Sequence, residues 1–212
     1  MKAGLTIALP KGRLFRESVT LLEKIHCSAQ GLGEGRRLVF EDTEQRTRFL
    51  ILRPVDIPTY VEYGAADVGI VGKDVIDEGD CDVYEPLDLK FGRCRLVVAQ
   101  PGGSAPTEPS LADWSYIRVA TKFPRITERY YNGKGVPVEI IRLSGSIELA
   151  PLVGLCERIV DVVETGRTLA ENGLVEVGEV MRVTARLIVN RASQKTKYEQ
   201  VTDLIGRLKQ VI

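Results

Sequence analysis

Two apolar, β-rich runs, Arg95–Ala99 (RLVVA) and Thr184–Val189 (TARLIV), bracket a middle segment of roughly 85 residues, long enough for a small domain of its own. Each run reads as a strand that carries the chain from one domain to the other. The first domain is then discontinuous, residues 1–97 plus 185–212, and the second is residues 98–184. Chain length allows this, because 212 residues are enough for two small cores. The expected architecture is two lobes joined by a double crossover hinge.

The segments between these runs alternate strand and helix. Leu5–Leu9 is a short apolar strand, Pro10–Arg13 a turn, and Leu14, Ser18, Leu21, Leu22 and Ile25 recur at helical spacing. Arg37–Phe40 and Arg48–Leu52 read as paired strands. A helix starts at Asp56-Ile57-Pro58 and ends near Gly64, with Pro58 in the first turn, where its missing N–H costs little. Asp67–Val71 is a strand and Gly72–Glu78 a helix. After Arg95–Ala99, the run Gln100–Pro109 is rich in Pro, Gly, Ser and Thr and reads as a connector. The second domain repeats the alternation. Its strands are Ile117–Ala120, Val138–Leu143 and Arg158–Val163; its helices are Pro124–Tyr131, Ser146–Leu155 and one starting at Thr165–Glu171. Tyr198–Val211 is a final amphipathic helix. Repeated βα units predict an α/β fold with mostly parallel sheets covered by helices.

Composition excludes several function classes. Lys plus Arg and Asp plus Glu both number 29, so formal net charge is zero, and neither nucleic acid nor a membrane surface has electrostatic support as partner. No apolar run reaches the length of a signal peptide or a bilayer span. The four cysteines, Cys27, Cys81, Cys94 and Cys156, include no C-x-x-C pair, and His26 is the one histidine, which argues against a Cys/His zinc site. Scattered cysteines fit a reducing compartment, and a cytoplasmic location is expected.

The sharpest segment is Ile159–Leu169 (IVDVVETGRTL). An apolar strand enters a Thr-Gly-x-Thr turn that opens a helix. Backbone N–H groups of Gly166, Arg167 and Thr168 at a helix start suit a phosphomonoester, with donors added by Thr165 and Thr168 and charge by Arg167. Asp161 and Glu164, just upstream, are placed to accept hydrogen bonds from vicinal sugar hydroxyls. This is the recognisable arrangement for a phosphoribosyl diphosphate. The bland reading is a helix capped by Thr165; two acids, a glycine and two threonines in one turn favour the ligand.

Lys11-Gly12-Arg13 follows a strand and offers two cations to a polyphosphate; alone, it reads more readily as a surface turn with solvated cations. Arg53 ends a strand, where open α/β sheets place ligands. Asp67 and Asp74 flank the next strand. Gly72-Lys73 is not a P-loop, because Asp67 stands where the first glycine belongs and Asp74 where Ser or Thr belongs. His26 reads as a helix-terminal surface residue, Lys195 and Lys197 as a solvated helix start, and Trp114 and Tyr116 as packing aromatics.

Taken in order, Ala8–Leu14, Arg53–Val75, Phe91–Val98, Leu143–Val153, Ile159–Leu174 and Thr184–Ser193 resemble the catalytic subunit of the ATP phosphoribosyltransferase family across nearly the whole chain. Two positions depart from the family pattern, which often has Asn where Ser144 stands and a small residue near Lys90. The resemblance implies a two-lobed, periplasmic-binding-protein-like (type II) fold and condensation of ATP with phosphoribosyl diphosphate, using Mg²⁺. It implies the short form of the subunit, self-association, and a regulatory partner similar to histidyl-tRNA synthetase. On this reading Lys11, Arg53 and Asp161 are the catalytic residues. ATP meets Lys11, Gly12, Arg13, Arg53, Asp67 and Lys73; the donor meets Asp161 and Glu164–Thr168. The metal ligands are left open. Three rivals remain at this point: a non-catalytic solute binder, a phosphoribosyltransferase acting on a free base, and a weakly active subunit that serves its partner.

Overall fold

A computed structural model describes residues 4–27, 31–33, 36–42, 46–103 and 116–212. The chain forms two compact units, Met1–Gly92 with Thr184–Ile212, and Arg93–Val183.

The first unit opens with β1 (Thr6–Pro10), α1 (Phe15–Lys24), β2 (Val39–Asp42) and β3 (Thr47–Leu52). It continues through a short 3-10 turn into α2 (Ile57–Glu62), β4 (Val68–Gly72), α3 (Lys73–Gly79) and β5 (Tyr84–Asp88). In the second unit follow β6 (Cys94–Pro101), β7 (Ile117–Thr121), α4 (Pro124–Gly133), β8 (Val138–Arg142), α5 (Leu149–Leu152), β9 (Arg158–Val163), α6 (Arg167–Glu171) and β10 (Leu174–Val183). The chain then returns to the first unit as β11 (Ala185–Val189), α7 (Arg191–Thr196) and α8 (Tyr198–Lys209).

The first sheet has the order β2-β3-β1-β4-β11-β5, and the second β10-β6-β9-β7-β8. β5 and β6 lie in different sheets, as do β10 and β11, so the backbone crosses between sheets at residues 89–93 and again at 184. Both sheets are mixed rather than mostly parallel. β3, β1 and β4 are parallel, as are β9, β7 and β8. β11 runs antiparallel to both β4 and β5, and β6 antiparallel to both β9 and β10. β2 runs antiparallel to β3 as well.

Both sheets are buried on both faces, because successive side chains alternate. In the first sheet Ile7, Leu9, Ile70 and Leu187 pack with α1 and α8, while Ala8, Val71 and Ile188 pack under α2 and α3. In the second, Leu96, Val98 and Val160 face α4, and Val97, Ile159 and Val163 face α5 and α6.

Some local expectations needed revision. β5 and β10 were not anticipated. β10 is a long edge strand with an irregular buried pattern and two register shifts against β6, so its sequence shows no clean period. The helix expected over 146–155 shrinks to α5, since Pro151 cannot donate and Gly154 turns left-handed at φ 75°. Gln100 and Pro101 extend β6 instead of starting the connector. Most of that connector, with Trp114, lies outside the described residues, and Tyr116 is exposed. His26 is exposed, left-handed at φ 53°, at the end of α1. Among the described residues no helix is long and apolar enough to cross a membrane.

Candidate active site

In the second unit the parallel register aligns the carboxyl ends of β7, β8 and β9: Thr121 lies opposite Arg142 on one side and Val160 on the other. Ligands in α/β sheets bind beyond such ends. The β9–α6 turn sits there. Gly166 is the N-cap, at φ 77° and ψ 0°, a left-handed conformation natural to glycine. The helix therefore starts at Arg167, later than the Thr165 start expected. Thr165 accepts the Arg167 N–H through Oγ1 at 3.4 Å. The remaining first-turn N–H groups have no intrahelical carbonyl to meet.

The side chains of the turn point to different tasks. Glu164, Thr165, Arg167 and Thr168 are exposed. Arg167 Nε donates to Glu171 Oε1 at 2.7 Å, so its guanidinium is engaged along its own helix. Asp161 is mostly buried; its Oδ1 accepts from the Val162 N–H at 2.8 Å and lies 3.3 Å from Lys122 Nζ. Oδ2 meets no partner among the described residues. Lys122 was missed by sequence reasoning, since a lone lysine after a strand carries no motif. What reveals it is the β7–β9 register.

In the first unit, β1 and β3 end side by side, Pro10 opposite Leu52. The Lys11 N–H donates to the Leu52 carbonyl at 2.7 Å, and the Gly12 carbonyl accepts from Phe15 N–H at 3.1 Å. Lys11, Gly12, Arg13 and Arg53 thus gather at one sheet end, and all are exposed. The side chains of Lys11 and Arg53 form no ion pair among the described residues. A cavity of ≈ 540 Å³ opens beside Lys11 and Gly12, lined also by Phe15, Arg36, Arg37 and Ile51 among others. Arg36 and Arg37 add cations that the sequence reading placed in or before a strand.

Asp67 and Lys73 are spent on the fold. Asp67 is buried; Oδ2 accepts from Thr6 N–H and Lys197 Nζ, both at 2.7 Å, and Oδ1 from Ser193 Oγ at 2.6 Å. Lys197 is therefore no solvated helix start. Lys73 pairs with Glu85 at 2.7 Å and Asp77 at 2.9 Å. Burial alone would lower its pKa, but the bonds to Glu85 and Asp77 prevail and hold it above the ordinary lysine value.

Residues 53–210 match the family model HisG, ATP phosphoribosyltransferase. The ATP phosphoribosyltransferase of Geobacter metallireducens is 59% identical over 210 residues, covering 98% of each chain. That of Caldanaerobacter subterraneus subsp. tengcongensis is 52% identical, over 98% of this chain and 97% of the relative. Among solved structures, the ATP phosphoribosyl transferase (HisG:HisZ) complex from Thermotoga maritima aligns with TM-score 0.83 and 36% identity over 98% of each chain. The alkanesulfonate-binding protein SsuA from Xanthomonas axonopodis pv. citri, bound to MOPS, aligns with TM-score 0.57 at 14% identity, over 99% of this chain and 73% of that one. The latter likeness is one of fold, the two-lobed periplasmic-binding-protein type. Family match and full-length identity together place this chain in the ATP phosphoribosyltransferase family, as a transferase.

Proposed function

We propose that this chain transfers the phosphoribosyl group of 5-phosphoribosyl α-1-diphosphate to N1 of ATP, giving 1-(5-phosphoribosyl)-ATP and pyrophosphate, the first step of histidine biosynthesis. The observation that carries this reading is the Gly166 turn, with Asp161 beside it, in a member of this family. The donor's 5′-phosphate rests on the backbone N–H groups of 166–168 and the Thr165 and Thr168 hydroxyls. Its ribose hydroxyls donate to Asp161 and Glu164. ATP lies on the first unit, its phosphates against Lys11, Gly12, Arg13 and Arg53.

Purine N1 carries a free lone pair at neutral pH, so the reaction needs no strong base. Positioning and electrostatic stabilisation of the departing diphosphate carry the rate. Among the described residues no three His, Cys, Asp or Glu side chains gather as a metal cage. The carboxylates of Asp161 and Glu164 would suit a hard cation that arrives with the substrate, and we assign this role to Mg²⁺, which would offset the negative charge of the diphosphate. A HisZ-like, histidyl-tRNA-synthetase-related subunit is the proposed partner, and the cytoplasm the proposed location.

The test is an ultraviolet assay for phosphoribosyl-ATP from ATP, donor and Mg²⁺, with and without the HisZ-like partner. Adenine and orotate serve as alternative acceptors. Product from a free base but not from ATP would reject the assignment.

A further inference from the structure

Thr121 ties three strand ends together. It is fully buried; its Oγ1 donates to the Val160 carbonyl at 2.7 Å and accepts from the Phe123 N–H at 2.9 Å. Its own carbonyl accepts from the Leu143 N–H at 3.0 Å. The residues fixed are the one before Asp161 and the two flanking Lys122. The lysine is thus held at the end of β7 with its ammonium beside the Asp161 carboxylate and 5.2 Å from the centre of the Phe123 ring.

The Lys122–Asp161 contact is loose. At 3.3 Å it is longer than a strong charge-assisted hydrogen bond, and an ammonium has three donors. Lys122 makes no other ion pair or hydrogen bond among the described residues, and its side chain is 42% exposed. The neighbouring cations are placed otherwise. Arg167 is bound to Glu171, and Arg142 lines a separate cavity with Arg125 and Glu128 of α4.

Stereochemistry gives this placement meaning. In the α-anomer of the donor, the 1-diphosphate lies on the same face of the furanose as the 2′- and 3′-hydroxyls. A cation beside the carboxylate that accepts from those hydroxyls is therefore on the side from which the diphosphate leaves. We infer that Lys122 is a further substrate-binding residue: its ammonium meets the diphosphate of the donor and stabilises it as it departs. In that step the C1′–O bond breaks with its electron pair going to pyrophosphate. The purine N1 lone pair forms the new C–N bond, and the purine amidine takes up the positive charge. This inference rests on the donor assignment to the Gly166 turn.

Magnesium pyrophosphate and ribose 5-phosphate, each titrated calorimetrically into the full chain, separate the two ends of the donor. Lys122→Met is expected to weaken pyrophosphate by about tenfold or more, the loss of one charge-assisted contact, and to leave ribose 5-phosphate within about twofold. Lys122→Arg, which keeps the charge, is expected to recover part of the loss. Unchanged pyrophosphate affinity in Lys122→Met, or equal loss of both ligands, would overturn the role of Lys122. The wild-type chain keeps the two claims apart. If it forms phosphoribosyl-ATP and Lys122→Met still binds pyrophosphate normally, Lys122 alone is misassigned. If the wild type makes no product with its partner, the donor assignment itself fails.

Discussion

The carboxylate of Asp67 takes the ammonium of Lys197 at 2.7 Å, joining residues 130 positions apart in sequence. The same carboxylate holds the N–H of Thr6 and the hydroxyl of Ser193, and the Asp67 carbonyl accepts from Asn190 N–H. One side chain thus pins the start of β1, and with it the Lys11 turn, to the returning C-terminal segment. Removing one member of a buried pair leaves the other charge uncompensated. Asp67→Ala is expected to lower unfolding free energy by about 3 kcal/mol in urea titrations, less than for a fully buried pair because Lys197 is partly solvated. Folded variant should keep the ATP KM of the wild type. A raised KM with unchanged stability would make Asp67 a nucleotide contact after all.

Gly166 tests the proposed donor assignment of the β9–α6 turn. An added Cβ would meet nothing closer than Val163 Cγ1 at 3.9 Å, so space is not the obstacle. The obstacle is φ 77°, which a β-branched residue adopts at a cost of about 2 kcal/mol. Gly166→Val should relax out of this conformation and turn the N–H groups away. Donor affinity is expected to fall by about 100-fold, with ATP affinity unchanged, both read by calorimetry. Undiminished donor affinity would remove the turn from the site.

Arg53 follows β3 beside Lys11 and is exposed. A charge-assisted contact to phosphate contributes about 1.5–3 kcal/mol, so Arg53→Ala should raise the ATP KM by about 10- to 100-fold. The donor KM should move little. Steady-state kinetics with each substrate varied in turn decide it, and unchanged kinetics would retire Arg53 from the nucleotide side.

The β9–α6 turn was legible as a strand–turn–helix unit because its parts are contiguous: strand, acids, threonines and glycine occupy residues 159–169 in one local motif. The double crossover was legible because apolar strands advertise burial. Lys122, Arg36 and Arg37 were not, because their meaning comes from neighbours brought in by register or by packing across the chain. Asp67 and Lys73 illustrate the opposite case. Each flanks an apolar strand at a plausible ligand position, yet long-range partners, Lys197 for one and Glu85 for the other, claim the side chain. Sequence spacing shows that a charge is present; it does not show which way the folded chain has already neutralised it.

Cys27 gives the fold a pH limit. It is 2% exposed, and burial pushes its thiol up to about 11; Arg207 opposes this shift and Asp42 adds to it. An unfolded thiol titrates near 9. Between these values the unfolded chain releases a proton that the folded chain keeps, so stability is intact below about pH 9 and is lost as pH rises towards 11. Two pH units at about 1.4 kcal/mol each set the upper limit of the loss near 3 kcal/mol. Unfolding midpoints in urea for wild type and Cys27→Ala, followed from pH 8 to 11, isolate the thiol. The wild type should lose stability more steeply than the variant above pH 9, and parallel curves would show that Cys27 does not set the limit.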